Sequence, residues 1–147
     1  MGAIFEQNSL GMVIAISITI LIFIIFLVIL VKRLSDNIKI GQQNDGRINQ
    51  YLAAVPADRI GTVNAVYQNT RKDLGIAMIL CFVGGLFGFQ RAYLGKRKSA
   101  VLMFLFFWTG IPEIISLFDL TAMPKTVSEF NLAVAKSLYE QIASPKL

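Results

Sequence analysis

The sequence predicts an all-α membrane protein: an N-terminal single transmembrane helix, then a C-terminal transmembrane helical hairpin with amphipathic flanking helices. Three observations predict it. Residues are 55% hydrophobic and 16% charged, against about 25% charged in soluble domains, and the excess is gathered into continuous runs. One run is long enough to cross a bilayer by itself. Two further runs are joined by so short a polar stretch that antiparallel neighbours are the natural answer.

The first run, Leu10 to Val31, holds 22 residues without a charge. At ~1.5 Å rise per residue it reaches roughly 33 Å, enough for a hydrocarbon core of ~30 Å. No positive segment precedes it, and Lys32-Arg33 follows where a signal peptide would show small residues and a cleavage site. Met1-Gly2-Ala3-Ile4-Phe5-Glu6 lacks the Ser or Thr of a myristoylation signal. Residues 1–31 are therefore expected to be a retained transmembrane anchor.

Residues 32–73 are expected to form a polar connector. Gly41-Gln42-Gln43-Asn44-Asp45-Gly46 has the composition of a turn or flexible segment. Ile48, Tyr51, Leu52 and Val55 then recur at helical spacing and stop at Pro56, and Ile60, Val63, Val66 and Tyr67 repeat the pattern. Both stripes suit helices covering the rest of the chain, and equally helices lying on the membrane surface or on a partner.

Residues 74–122 carry the expected hairpin. Leu74 to Phe89 gives 16 residues, about 24 Å as a helix. Gln90 to Ser99 is a tight connection holding Arg91, Lys96, Arg97 and Lys98, and Ala100 to Leu120 is a third run of 21 residues with Trp108 and four phenylalanines. Gly84 and Gly88 form a Gly-x-x-x-Gly pair with Gly85 beside it. In lipid, close backbone approach through small residues is a main source of packing energy, so the three glycines are expected to seat the third helix, or another subunit. Gly88 and Gly95 bracket a reversal of the chain. Tyr93 suits interfacial depth, and Arg91, Lys96, Arg97 and Lys98 suit phosphate headgroups.

The tail, residues 123–147, begins at Met123-Pro124. Thr126-Val127-Ser128-Glu129 fits a capping box. Val127, Phe130, Val134, Leu138 and Ile142 give one apolar face, closed by Ser144-Pro145. An amphipathic terminal helix is expected there.

The chain's chemistry is mostly exclusion. There is no histidine, which removes Ser/His and Cys/His nucleophile pairs and the commonest zinc sets. The lone Cys81 lies inside an apolar run and reads as a small buried hydrophobe. No cofactor and no small-molecule substrate are expected. The net charge of +5 lies beside apolar segments, where basic residues anchor helices, and no basic face carries the interleaved aromatics of a nucleic-acid binder.

Gly84-Gly85-Leu86-Phe87-Gly88-Phe89-Gln90-Arg91-Ala92-Tyr93-Leu94-Gly95-Lys96 resembles the central motif of the two-transmembrane-helix (TM-two) domain family, roughly Gly-Gly-x-x-Gly-x-His-Arg-Phe-Tyr-Leu-Gly between two apolar helices. The likeness continues through Gly110-Ile111-Pro112 to Asp119 and the following Glu129-Phe130-Asn131, so it covers about residues 74 to 131. Gln90 stands where the family favours His and Ala92 where it favours Phe, while Arg91, Tyr93 and Gly95 match. The resemblance implies a membrane hairpin, with little about activity. It also implies a turn facing the cytosol.

Two acids lie in the third run, and intramembrane carboxylates are functional candidates by default. Asp119 is expected near Arg71 and Lys72, whereas Glu113 has no evident partner. Their spacing does not place them on one face, so paired acid/base catalysis finds no support, and no enzyme is expected. With the N-terminus outside, the cytoplasmic side holds ten basic residues against four in the hairpin turn. That favours N-out in a bacterial-type cytoplasmic membrane, against the orientation the resemblance implies. The expected function is a multi-pass, non-enzymatic membrane adaptor or assembly subunit contacting other membrane proteins or itself. The alternative is an oligomeric pore, channel or secretion-system subunit.

Overall fold

Helix α1, Gly2–Ala53, runs without interruption through the apolar run and on through Gly41–Gly46. The computed structural model describes residues 2–143, and the secondary structure among them is helical throughout. Five more α-helices follow: α2 Ile60–Thr70, α3 Leu74–Gly84, α4 Phe89–Tyr93, α5 Arg97–Leu105 and α6 Ile111–Ala143, with 3-10 turns at Gly85–Phe87 and Phe107–Thr109. Among the described residues, one helix is long and apolar enough to cross a membrane, and it is α1.

The turn expected at Gly41–Gly46 is corrected by packing against α6. Asn37, Gly41, Asn44 and Ile48 are buried on α1, with Tyr51 half-buried one turn further on. Those steps of four and three are the seam of a coiled coil. Opposite them on α6 lie Thr121, Pro124, Ser128 and Ala135, all buried. Asn37 Nδ2 donates to the Thr121 carbonyl at 2.9 Å, and Asn44 Nδ2 donates to Ser128 Oγ at 3.0 Å. Ile48 packs with Ala135, and the Tyr51 and Tyr139 rings meet at 5.6 Å. Partners rise together along both helices, so α1 and α6 are parallel. A Cβ on Gly41 would lie 3.3 Å from the Pro124 carbonyl oxygen, which is why glycine suits the closest approach. The helical cost of a glycine, about 1 kcal/mol, is outweighed by this contact.

The third apolar run is likewise not one helix. α5 stops at Leu105, and the chain turns through Phe107–Thr109 to Gly110 at φ +73°. It restarts as α6 with Thr109 Oγ1 accepting from Ile111 N at 3.3 Å. Pro112 falls in the first turn, where its missing N–H is harmless, and Glu113 meets the positive end of the helix dipole.

The predicted capping box does not start a helix. α6 continues through Pro124, and Thr126 Oγ1 donates back to the Ala122 carbonyl at 3.0 Å. Burial of Thr121, Pro124, Val127 and Ser128 offsets the interior proline, worth about 3 kcal/mol. The expected tail is therefore the second half of α6. Its stop at Ser144-Pro145 lies outside the described residues.

Two cores result. Ala77, Cys81, Leu94, Met123 and Val127 join α3, the end of α4 and α6. Ile48, Tyr67 and Ala135 join α1, α2 and α6. Of the two predicted connector stripes, the first buries Ile48 and Val55, and the second buries Val63 and Tyr67 but leaves Ile60 and Val66 exposed.

Candidate functional site

Asp73 begins the site. Its carboxylate accepts from Ile76 N at 2.9 Å and caps α3. α3 ends at Gly84, and the chain reverses through Gly85–Phe87 with Gly88 N donating to the Gly85 carbonyl at 3.1 Å. Gly88 needs its left-handed φ of +73°, which glycine adopts without a Cβ penalty. A Cβ there would also lie 3.1 Å from the Ala100 backbone. α4 then returns along α3 toward its beginning, where Tyr93 Oη accepts from Asp73 N at 3.0 Å.

This reversal brings Arg91 against Asp119. The guanidinium is forked on the carboxylate, Nε to Oδ2 at 2.7 Å and Nη2 to Oδ1 at 3.0 Å, while Nη1 donates to Ser99 Oγ. Both side chains are 23% exposed. Gln90, fully buried beside them, donates from Nε2 to Asp119 Oδ2 at 3.4 Å. Its Oε1 has no partner among the described residues, nor does the buried Ser116 Oγ. A cleft of about 300 Å³ borders the pair, lined by Arg91, Lys96, Ser99, Asp119 and Thr126 among others.

The expected partners of Asp119 were Arg71 and Lys72, and the structure corrects this. Lys72 Nζ lies 4.7 Å from the Tyr93 ring centroid and 5.7 Å from that of Phe130. Its backbone is clasped by Asn131, which accepts from Lys72 N at 2.7 Å and donates to the Lys72 carbonyl at 2.9 Å. Glu113 is exposed at the start of α6 and shares a shallow cleft with Cys81, Gly85 and Ser116. Nothing brings Glu113 and Asp119 together as a pair. Among the described residues no acidic, Cys or His group could hold a metal ion.

The three glycines do not form one strip, because α3 ends between them. A Cβ on Gly84 would meet the Phe89 ring, one on Gly85 would meet Ser116 of α6, and one on Gly88 would meet α5. Gly95, at φ +79°, makes the second reversal. Lys96, Arg97 and Lys98 follow it exposed. Away from this site, burial pushes the Tyr67 phenol above its ordinary 10.0, with Asp45 adding to the rise and Arg71 opposing it.

A sequence description of the TM2 domain matches residues 70–121. The chain is also 38% identical over 50 residues to a Bacillus subtilis (strain 168) protein named "Uncharacterized membrane protein YozV". That match takes in 34% of this chain, and the chain spans 63% of the length of that relative. No solved structure matches. The TM2 match, this likeness and the long apolar helix α1 support a membrane protein.

Within the matched segment, Arg91 is the partner of the late acid Asp119, and Tyr93 pins the segment's entrance at Asp73. Gln90, in the position where the motif favours His, also faces Asp119. Ser99, Ser116 and Asn131 were not read as part of this site. Glu129-Phe130-Asn131 carried the signal for Asn131, since a segment that accompanies the motif needs something in it to hold. Asn37 and Asn44 were not read either, because with Gly41 between them they have the composition of an ordinary polar connector.

Proposed function

We propose that this protein is a non-enzymatic membrane adaptor or assembly subunit, with a helical stalk that carries the contact surface for other membrane proteins. One observation carries the reading. Beyond the apolar run, α1 and α6 stay paired from Asn37 and Thr121 to Tyr51 and Tyr139, about 21 Å at ~1.5 Å rise. Two helices in register over that length make a stiff element, and α2 braces it through Tyr67. Between the stalk and the entrance to the TM2 domain lies a cleft of about 270 Å³, lined by Ile38, Gln42, Asp45, Arg71 and Lys72 among others. Charges of both signs around an exposed isoleucine suit a protein contact better than a lipid one. The positive-inside rule supports the stalk in the cytoplasm and the amino end of α1 outside a bacterial-type cytoplasmic membrane.

The test is the mass of the intact complex in mild detergent, with and without Ile38→Asp/Gln42→Lys. The adaptor reading expects a defined complex that this double variant loses while its own thermal stability stays unchanged. A complex indifferent to the cleft, together with ion flux in proteoliposomes that Glu113→Gln alters, would replace it with the pore reading.

A further inference from the structure

We propose that α1 alone crosses the bilayer and that the TM2 domain is a wedge within one leaflet, with its basic turn on the same membrane face as the stalk. The inference concerns embedding and does not rest on the adaptor reading.

The register of α1 is the first argument. Met12 to Ile25 are exposed all round, and the first half-buried positions are Phe26 and Leu30. The Phe26 ring meets Phe118 at 6.1 Å, so the rest of the molecule reaches only partway along the apolar run. Residues 11–25 extend about 22 Å past that contact, whereas α6 continues only about 10 Å beyond Phe118 to its start at Ile111. On α6 the exposed apolar residues Ile111, Ile114 and Leu117 end at the half-buried Asp119, about 12 Å of helix in a core of ~30 Å. Ile76, Ile79, Phe82 and Val83 of α3, and Val101, Leu102, Phe104 and Leu105 of α5, complete an exposed apolar surface.

The second argument is direction. A two-span hairpin needs Lys96, Arg97 and Lys98 on the membrane face opposite Asp73. Instead Tyr93 Oη is 3.0 Å from Asp73 N, and Leu94 packs on Ala77, Met123 and Val127. The chain goes in along α3, returns along α4, enters again along α5 and leaves along α6. Charges gather where it returns. Arg33 sits over the Phe118 ring at 5.4 Å, level with the Arg91–Asp119 pair, and Lys96 lines a cleft with Thr126. Every described basic residue, from Lys32 to Lys136, then falls on one side.

The third argument is the tip. Hydrocarbon admits irregular backbone only where its polar groups are satisfied within the protein. At the tip, Thr109 N donates to the Phe106 carbonyl at 3.0 Å, and Thr109 Oγ1 donates to the same oxygen at 2.7 Å. Trp108, 75% exposed, donates its indole N–H to the Leu105 carbonyl at 3.2 Å. An exposed tip so closed on itself suits lipid.

Sidedness tests the idea directly. In a Cys81→Ala background, Asn49→Cys, Lys98→Cys and Gln7→Cys are treated with a membrane-impermeant maleimide in intact cells and after permeabilisation. Asn49→Cys and Lys98→Cys should be protected together and released together, with Gln7→Cys labelled from outside. Labelling of Asn49→Cys and Lys98→Cys from opposite faces would overturn the wedge. The unmodified chain supplies a second arm, since Trp108 is its sole tryptophan. In vesicles of brominated lipids its fluorescence should be quenched most by bromine deep in the acyl chains. Absence of quenching at every depth would mean that protein, not lipid, covers the tip, and would equally sink the proposal.

Discussion

Arg91 and Asp119 bring two formal charges into a half-buried setting, and the forked geometry decides what can replace either. Removing one partner strands the other away from water, which costs about 3–5 kcal/mol at full burial. At 23% exposure for each side chain the penalty is screened and should fall nearer ~2 kcal/mol. Asp119→Asn and Arg91→Met should each lower the unfolding temperature in mild detergent, and the double variant should recover part of the loss. Strictly additive losses would mean that the two groups do not act as a pair. A contrast between glycines tests the reversal itself. Gly88 and Gly95 share a positive φ, but only Gly88 lies against backbone, at Ala100, whereas Gly95 faces open space. Alanine at Gly95 should cost ~1 kcal/mol from the backbone conformation alone. Alanine at Gly88 should cost visibly more, as measured by the same unfolding transition. The ion pair was half legible in the sequence. Asp119 needed a cation, but a straight hairpin put that cation at Arg71 or Lys72, because apolar length alone does not reveal that α3 stops at Gly84.

At the scale of the helix, Gly41 and Gly46 read as a turn by composition yet lie inside α1. Composition reports local preference, while the seam with α6 is a long-range contact that outweighs it. The two glycines then differ in kind. Gly46 has open space around it, whereas Gly41 meets Pro124. Gly46→Ala should therefore stabilise by about 0.5–1 kcal/mol, the gain expected inside an exposed helix. Gly41→Leu should destabilise by about 1–3 kcal/mol as the helices are forced apart. A turn at 41–46 would give no gain from Gly46→Ala, so chemical denaturation of these two variants decides between helix and turn. Tyr67 adds a pH dependence to the brace between α2 and the stalk. Its folded pKa is raised above 10.0, so the unfolded chain ionises first as pH rises. The stability contributed is complete below that value and is lost as pH climbs through the folded pKa. Tyr67→Phe should remove this part of the alkaline decline in the unfolding midpoint.

For the whole molecule, the deciding feature is that α1 and α6 run the same way. Membrane character and the long apolar N-terminal helix were legible, because they follow from continuous runs without charge. The parallel pairing was not, since Asn37, Gly41 and Asn44 look like an ordinary polar connector until the facing Thr121, Pro124 and Ser128 are known to lie beside them. Parallel helices joined through α2 to α5 require the intervening chain to climb back before α6 starts, and α3 and α5 provide that climb. The alignment can be trapped covalently. Asn44 Nδ2 and Ser128 Oγ are 3.0 Å apart, so these two positions face each other, and cysteines placed there can be challenged with mild oxidation once Cys81 is replaced. Asn44→Cys/Ser128→Cys should give an intramolecular disulfide, seen as a faster band on non-reducing gels that disappears with reductant. Asn37→Cys/Ala135→Cys, which would face each other only if the helices ran antiparallel, should stay reduced under the same oxidant. The opposite pattern would overturn the alignment, and with it the stalk on which the adaptor reading stands.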